Sequence, residues 1–214
     1  MQKRTFLSAL SGLAAALLIG AAPAQAQVAG RDYAPINPPQ PTENPAKIEV
    51  IEFFSYGCPH CKDFHPLVSK WAAKLPADVV FKRVPVSFGR AQWGNLGKLY
   101  YTAEALNELG RLDDAAFVAI HEKGVKLYDD ATIQQFAVQQ GVDGKKFSDA
   151  YASFGVLSKM KRADQMAQGY KVQGVPAIAV DGRYMVLNEG LQGYEDLLNR
   201  ADKVIGKVRG EKKK

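Results

Sequence analysis

Residues 48–61, IEVIEFFSYGCPHC, place a strand-forming run directly before two cysteines at i and i+3. Ile48, Val50, Ile51, Phe53 and Phe54 are β-branched or aliphatic and aromatic, the pattern of a strand buried on both faces. After the cysteines, Phe64, Leu67, Val68, Trp71 and Leu75 fall on one helical stripe. Pro59 suits the first turn of that helix, where its missing N–H costs nothing, and Pro76 ends it. Pro66 lies inside and predicts a kink. Cys58 and Cys61 are the only cysteines in the 214 residues. A pair of thiols so placed can exchange disulfides, hold a metal, or form a staple.

The N-terminus bears on that choice. Lys3 and Arg4 precede an apolar run from Phe6 to Ile19, and Ala24-Gln25-Ala26 follows as an Ala-x-Ala site. This is the pattern of a cleaved secretory signal peptide over residues 1–26. The run is shorter than the roughly 20 residues a spanning helix needs. The expected compartment is therefore oxidising and outside the cytoplasm, the periplasm for a bacterial chain. A single disulfide closing so small a loop removes little chain entropy, so it makes a poor staple. Cys58, Cys61 and His65 share one helix face and offer three metal ligands, whereas structural zinc takes four. Exchange chemistry is the better account, and a metal-binding protein is the alternative of a different class. The formal charge is +6, part of it in Lys212-Lys213-Lys214, and no basic stripe with interleaved aromatics points to nucleic acid.

The remaining chain divides by pattern. Residues 27–46 are rich in proline and predict an extended lead-in, with at most a short edge strand near Asp32 to Ile36. Val79 to Val86 predicts a second strand, parallel to the first through a right-handed crossover. Residues 89–170 show no strand pattern and predict an inserted helical subdomain. One of its helices is expected to run from Trp93 to Leu109, and another to start at Asp130 as N-cap. Val175 to Val180 and Arg183 to Leu187 flank Asp181-Gly182, a strong hairpin signal because both turn positions need positive φ. A last helix is expected over 193–208, then a disordered basic tail over 209–214. The fold class is α/β: a thioredoxin-like mixed sheet flanked by helices, its domain formed by 47–88 and 171–208.

With these elements in place the chain resembles the DsbA family of the thioredoxin superfamily. The resemblance rests on Glu52-Phe53-Phe54-Ser55, Cys58-Pro59-His60-Cys61, the helical insert, and Gly174-Val175-Pro176 before the hairpin. It implies a monomeric periplasmic thiol–disulfide oxidoreductase with no cofactor. Its partners would be reduced exported polypeptides and a DsbB-type inner-membrane reoxidase. A disulfide isomerase or reductase of the same superfamily is the close alternative. Two departures stand out: there is no second cysteine pair, and His65 and Arg83 stand where the best-known member has an acid and a lysine.

Roles follow for the site residues. Cys58 heads a helix, where unpaired N–H groups and the helix dipole favour its thiolate, and His60 adds a donor or a positive charge. Cys58 is expected to be exposed and Cys61, one turn on, buried. Glu52 shares a strand face with Val50 and Phe54, and is either wet at the strand end or buried with a raised pKa. In the second case it could manage the proton of Cys61. The resemblance implies a cis peptide before Pro176 and a substrate-pairing role for Gly174, Val175 and Pro176. His121 has no expected catalytic role.

Overall fold

The computed structural model describes residues 29–213. The signal-peptide pattern over 1–26 lies outside the described residues. Strand β1 (Tyr33–Pro35) belongs to the lead-in; β2 (Ile48–Phe54) and β3 (Val79–Pro85) flank helix α1 (Pro59–Ala72). Five helices follow: α2 (Ala91–Ala105), α3 (Leu109–His121), α4 (Asp130–Gln139), α5 (Gly144–Tyr151) and α6 (Phe154–Gly169). Strands β4 (Ala177–Val180) and β5 (Tyr184–Val186) and helix α7 (Tyr194–Lys212) complete the fold.

The sheet order is β1-β5-β4-β2-β3. β2 pairs parallel with β3 and antiparallel with β4, so the crossover through α1 gives the one parallel pair among the described strands. All seven residues of β2 are buried. Alternation along the strand sends Ile48 and Val50 into one core, with Phe64, Val68, Ile178, Leu197 and Val204. Ile51 and Phe53 enter the other core, which extends through the helical insert. Each fully buried Phe side chain in these cores contributes about 1.5–3 kcal/mol.

Past the end of β2 an aromatic cluster joins strand and insert. Phe54 meets Tyr56 at 5.3 Å and Tyr100 at 5.2 Å, and Tyr56 meets Phe117 at 5.0 Å between ring centroids. These edge-on contacts bring α2 and α3 against the loop that carries the cysteines. The β4–β5 turn has positive φ at both Asp181 (55°) and Gly182 (65°). Gly182 also packs on the lead-in, since a Cβ there would lie 2.0 Å from the carbonyl oxygen of Gln40.

Three local expectations are corrected. The helix expected from Trp93 to Leu109 breaks after Ala105, with Asn107 at φ 59°, and α3 starts at Leu109. The apolar spacing carries across the break because α3 buries its own stripe, Leu112, Ala116 and Phe117, in the same core. The N-cap of α4 is Asp129, which accepts from the Thr132 N–H. Asp130 is drawn instead to Lys98 Nζ and the Tyr151 hydroxyl. The basic tail is helical as far as Lys212. Its charges find partners: Arg209 Nε bonds Asp78 at 2.6 Å, and Lys212 Nζ reaches the carbonyls of Pro45 and Lys47 and the Asp181 carboxylate.

Candidate active site

The loop Ser55–Gly57 carries the chain from β2 into α1. Cys58 is the N-cap of α1, in an extended conformation (φ −97°, ψ 119°), and Pro59 occupies the first turn. The Cys58 N–H donates to the Ser55 carbonyl at 3.1 Å. Gly57 has no room for a side chain, since a Cβ there would lie 2.6 Å from Trp93 Nε1. The two thiols are free, and both are buried. Cys58 is only 5% exposed, against the sequence expectation. The loop before β4 accounts for this: Cys58 Sγ donates to the Val175 carbonyl at 3.3 Å. The Val175–Pro176 peptide is cis.

The two cysteines differ sharply in acidity. The Cys58 thiol is lowered from 9.0 to about 6, chiefly by a hydrogen bond from the Cys61 thiol. Burial opposes this, while the backbone N–H groups of Cys61 and His60 and the charge of His60 assist it. Cys61 is driven far up by burial, by its bond to Cys58 and by the negative charges of Cys58 and Glu52. Helix position explains the asymmetry. Cys58 faces the unpaired N–H groups of the first turn, and Cys61 lies within the turn against the sheet.

Glu52 lies beneath α1 on β2 and is 0% exposed. Burial raises its pKa, and the neighbouring Arg83 guanidinium pulls it back. Arg83 Nε on β3 donates to Glu52 Oε2 at 2.7 Å, while Glu52 Oε1 is buried without a hydrogen-bond partner. Arg83 also donates through Nη1 to Asp113 Oδ2 of α3 at 2.7 Å, and lies 3.9 Å over the Phe54 ring. Asp113 Oδ1 accepts from the Tyr56 hydroxyl at 2.5 Å.

His65 is turned to this network rather than to the cysteines. Its Nε2 lies 2.7 Å from Asp114 Oδ1 and 3.6 Å from Asp113 Oδ2. The three-ligand metal alternative is accordingly not favoured, and no group of three or more potential ligands stands together among the described residues. His121, set aside on the sequence, pairs through Nε2 with the Tyr56 carbonyl at 2.7 Å. It thus fastens the active-site loop to α3. Asp113 and Trp93 are the site neighbours that sequence reasoning did not bring to the site. An aspartate pair, Asp113-Asp114, inside an apolar stripe was the one available signal.

Glu52, Cys58, Pro59, His60 and Cys61 therefore surround one helix N-terminus, with Gly174, Val175 and Pro176 brought against it from more than a hundred residues away. A cavity of about 580 Å³ is lined by Gly174 and Val175 but by neither cysteine. A buried acid, a stabilised thiolate and a second, strongly basic thiol constitute the equipment for thiol–disulfide exchange.

Comparison with known proteins agrees with this chemistry. Residues 49–200 match the model of the DSBA-like thioredoxin domain. The thiol:disulfide interchange protein DsbA of Bordetella parapertussis is 43% identical over 185 residues, covering 86% of this chain and 88% of the relative. That of Pseudomonas aeruginosa is 40% identical over 203 residues, covering 94% and 96%. The crystal structure of Pseudomonas aeruginosa DsbA superposes with a TM-score of 0.83 at 39% identity, covering 88% of this chain and 97% of that one. The oxidoreductase DsbA from Xylella fastidiosa gives a TM-score of 0.79 at 33% identity, covering 86% and 98%.

Proposed function

Because the chain belongs to the DsbA family of thioredoxin-like proteins and is a protein thiol:disulfide oxidoreductase, we propose that it donates its Cys58–Cys61 disulfide to reduced exported polypeptides in the periplasm. The observation that carries this direction is the acidity of Cys58, lowered to about 6. The thiolate exists only in the reduced protein, so whatever stabilises it favours reduction of the enzyme and oxidation of the substrate. Each pH unit of depression is worth about 1.4 kcal/mol, or about 30 mV for a two-electron couple.

A substrate thiolate attacks Cys58 Sγ, the Cys58–Cys61 bond breaks, and Cys61 leaves with the electron pair. Glu52, its pKa raised by burial, is the acid that gives that sulfur its proton. A second substrate thiolate then attacks the substrate sulfur of the mixed disulfide and expels Cys58 as a stabilised thiolate. Two electrons pass to the enzyme, and the substrate gains one disulfide. Pro59 seats the first turn, and His60 favours the departing Cys58 thiolate.

Gly174, Val175 and Pro176 form the substrate platform. While Cys58 is protonated, its thiol donates to the Val175 carbonyl. Once Cys58 carries a substrate sulfur it has no S–H to donate, and that carbonyl is free to pair with a substrate backbone N–H. This suits substrates of varied sequence, because the contact is to main chain. A DsbB-type membrane reoxidase returns the enzyme to the disulfide form, and the protein works as a monomer without a cofactor.

Oxidative refolding of a reduced substrate protein, with the oxidised enzyme as sole oxidant, tests the direction. Stoichiometric formation of substrate disulfides supports donation. Efficient reshuffling of wrong disulfides with none introduced would show an isomerase instead.

A further inference from the structure

Arg83 serves two carboxylates at once, one from the sheet and one from the helical insert. Its Nε holds Glu52 and its Nη1 holds Asp113, both at 2.7 Å. Arg83 is the only arginine or lysine paired with Glu52 among the described residues. Asp113 is itself steadied from two further elements, by the Tyr56 hydroxyl in the active-site loop and by His65 of α1. We infer that Asp113 is a positioning residue, which draws the Arg83 guanidinium towards the insert and thereby sets how readily Glu52 exchanges a proton with Cys61. This rests on the proton-exchange role of Glu52 proposed above.

The physical reasoning is a division of one positive charge. Glu52 is entirely buried, with one oxygen on Arg83 and the other unpartnered. Its ionised form depends on Arg83, and every share of that cation taken by Asp113 is withdrawn from it. The charged and titratable groups facing Glu52 are Arg83 from β3, Asp113 from α3, His65 and Cys61 from α1, and Tyr100 from α2. Arg83 and His65 favour its carboxylate, and Asp113 disfavours it. The insert thus opposes ionisation of Glu52 and favours the acid form that a departing Cys61 needs. Asp114 is the natural control: it bonds the same His65 nitrogen but is 89% exposed, and no bond links it to Arg83 or Glu52 in the network described.

The test is a carboxyl NMR titration of Glu52 in the reduced full-length mature protein, paired with the pH profile of ring closure. In that closure the enzyme–glutathione mixed disulfide at Cys58 is attacked by Cys61. The Cys61 proton passes to ionised Glu52, the Cys58–Cys61 bond forms, and glutathione leaves as thiolate. Asp113→Asn is expected to move the Glu52 midpoint to lower pH by about one unit, a tenfold change in its ionisation, and to move the acidic limb of closure with it. Asp113→Glu restores the wild-type midpoint, and Asp114→Asn leaves it in place. An unchanged Glu52 midpoint in Asp113→Asn, or an equal shift in Asp114→Asn, overturns the inference. A shifted midpoint with an unshifted closure profile sinks the role of Glu52 instead and leaves the hold of Asp113 on it standing. Should Asp113→Asn not fold, Tyr56→Phe carries the test with opposite sign. Without the hydroxyl, Asp113 leans harder on Arg83 and the Glu52 midpoint rises; no rise overturns the inference.

Discussion

The Cys58 thiol and the Val175 carbonyl lie 3.3 Å apart although 117 positions separate them in sequence. The Cys58 sulfur of one βα junction is thus capped by main chain from the loop that opens β4. The same pairing covers the Cys58 sulfur while it is a thiol, leaving it only 5% exposed.

Cys58 is expected to titrate near 6 when thiolate absorbance is followed against pH in the reduced protein. Its folded pKa is depressed, so the extra stability of the reduced form is complete above the ordinary thiol pKa of 9.0 and is lost as pH falls through about 6. The reduced protein should therefore melt higher than the oxidised protein at neutral pH, with the gap closing at acid pH. A titration near 9.0 would remove the basis for disulfide donation.

His60→Ala removes a charge that favours the Cys58 thiolate. The Cys58 midpoint should rise by about one pH unit, and the couple should become less oxidising by about 30 mV against glutathione. An unchanged glutathione equilibrium would assign the acidity to the helix terminus and Cys61 alone.

Presented with a disulfide-bonded substrate, the reduced Cys61→Ala variant should stop at the mixed disulfide at Cys58, because the internal thiol that could displace the substrate sulfur is absent. Covalent enzyme–substrate adducts then accumulate and dissolve on reduction. Cys58→Ala should form none, and adducts through Cys61 in that variant would reverse the assigned roles.

Arg83→Met strands Glu52 and Asp113 without their shared cation. Urea unfolding at neutral pH should show a loss of about 3–5 kcal/mol, the range for breaking a buried pair. The loss should shrink at acid pH as the stranded carboxylates take up protons. A pH-independent loss would mean that side-chain packing on Phe54, rather than charge, is what Arg83 contributes.

Several features were legible because local chemistry dictates them. The apolar run before Cys58 could only be a buried strand, and Pro59 with Cys58 marks a helix start whose N–H groups lack partners. Asp181-Gly182 supplied both positive φ angles of the hairpin turn. Errors arose where two local signals competed. Asp129 and Asp130 are equally good caps by type, and a contact with Lys98 and Tyr151 from other helices decided between them. The lysines near the C-terminus look solvated in sequence, yet Lys212 has three oxygen partners on the lead-in and the β4–β5 turn.

Sequence alone determined that a cysteine pair opens a helix directly after a buried strand, because periodicity, turn chemistry and helix capping act within a few residues. Only the tertiary structure decided what surrounds that pair. The Val175 carbonyl over Cys58, the unpaired oxygen of Glu52, and the division of Arg83 between Glu52 and Asp113 all join residues from different elements. Burial and the sharing of one charge depend on distances through space, which no spacing along the chain encodes.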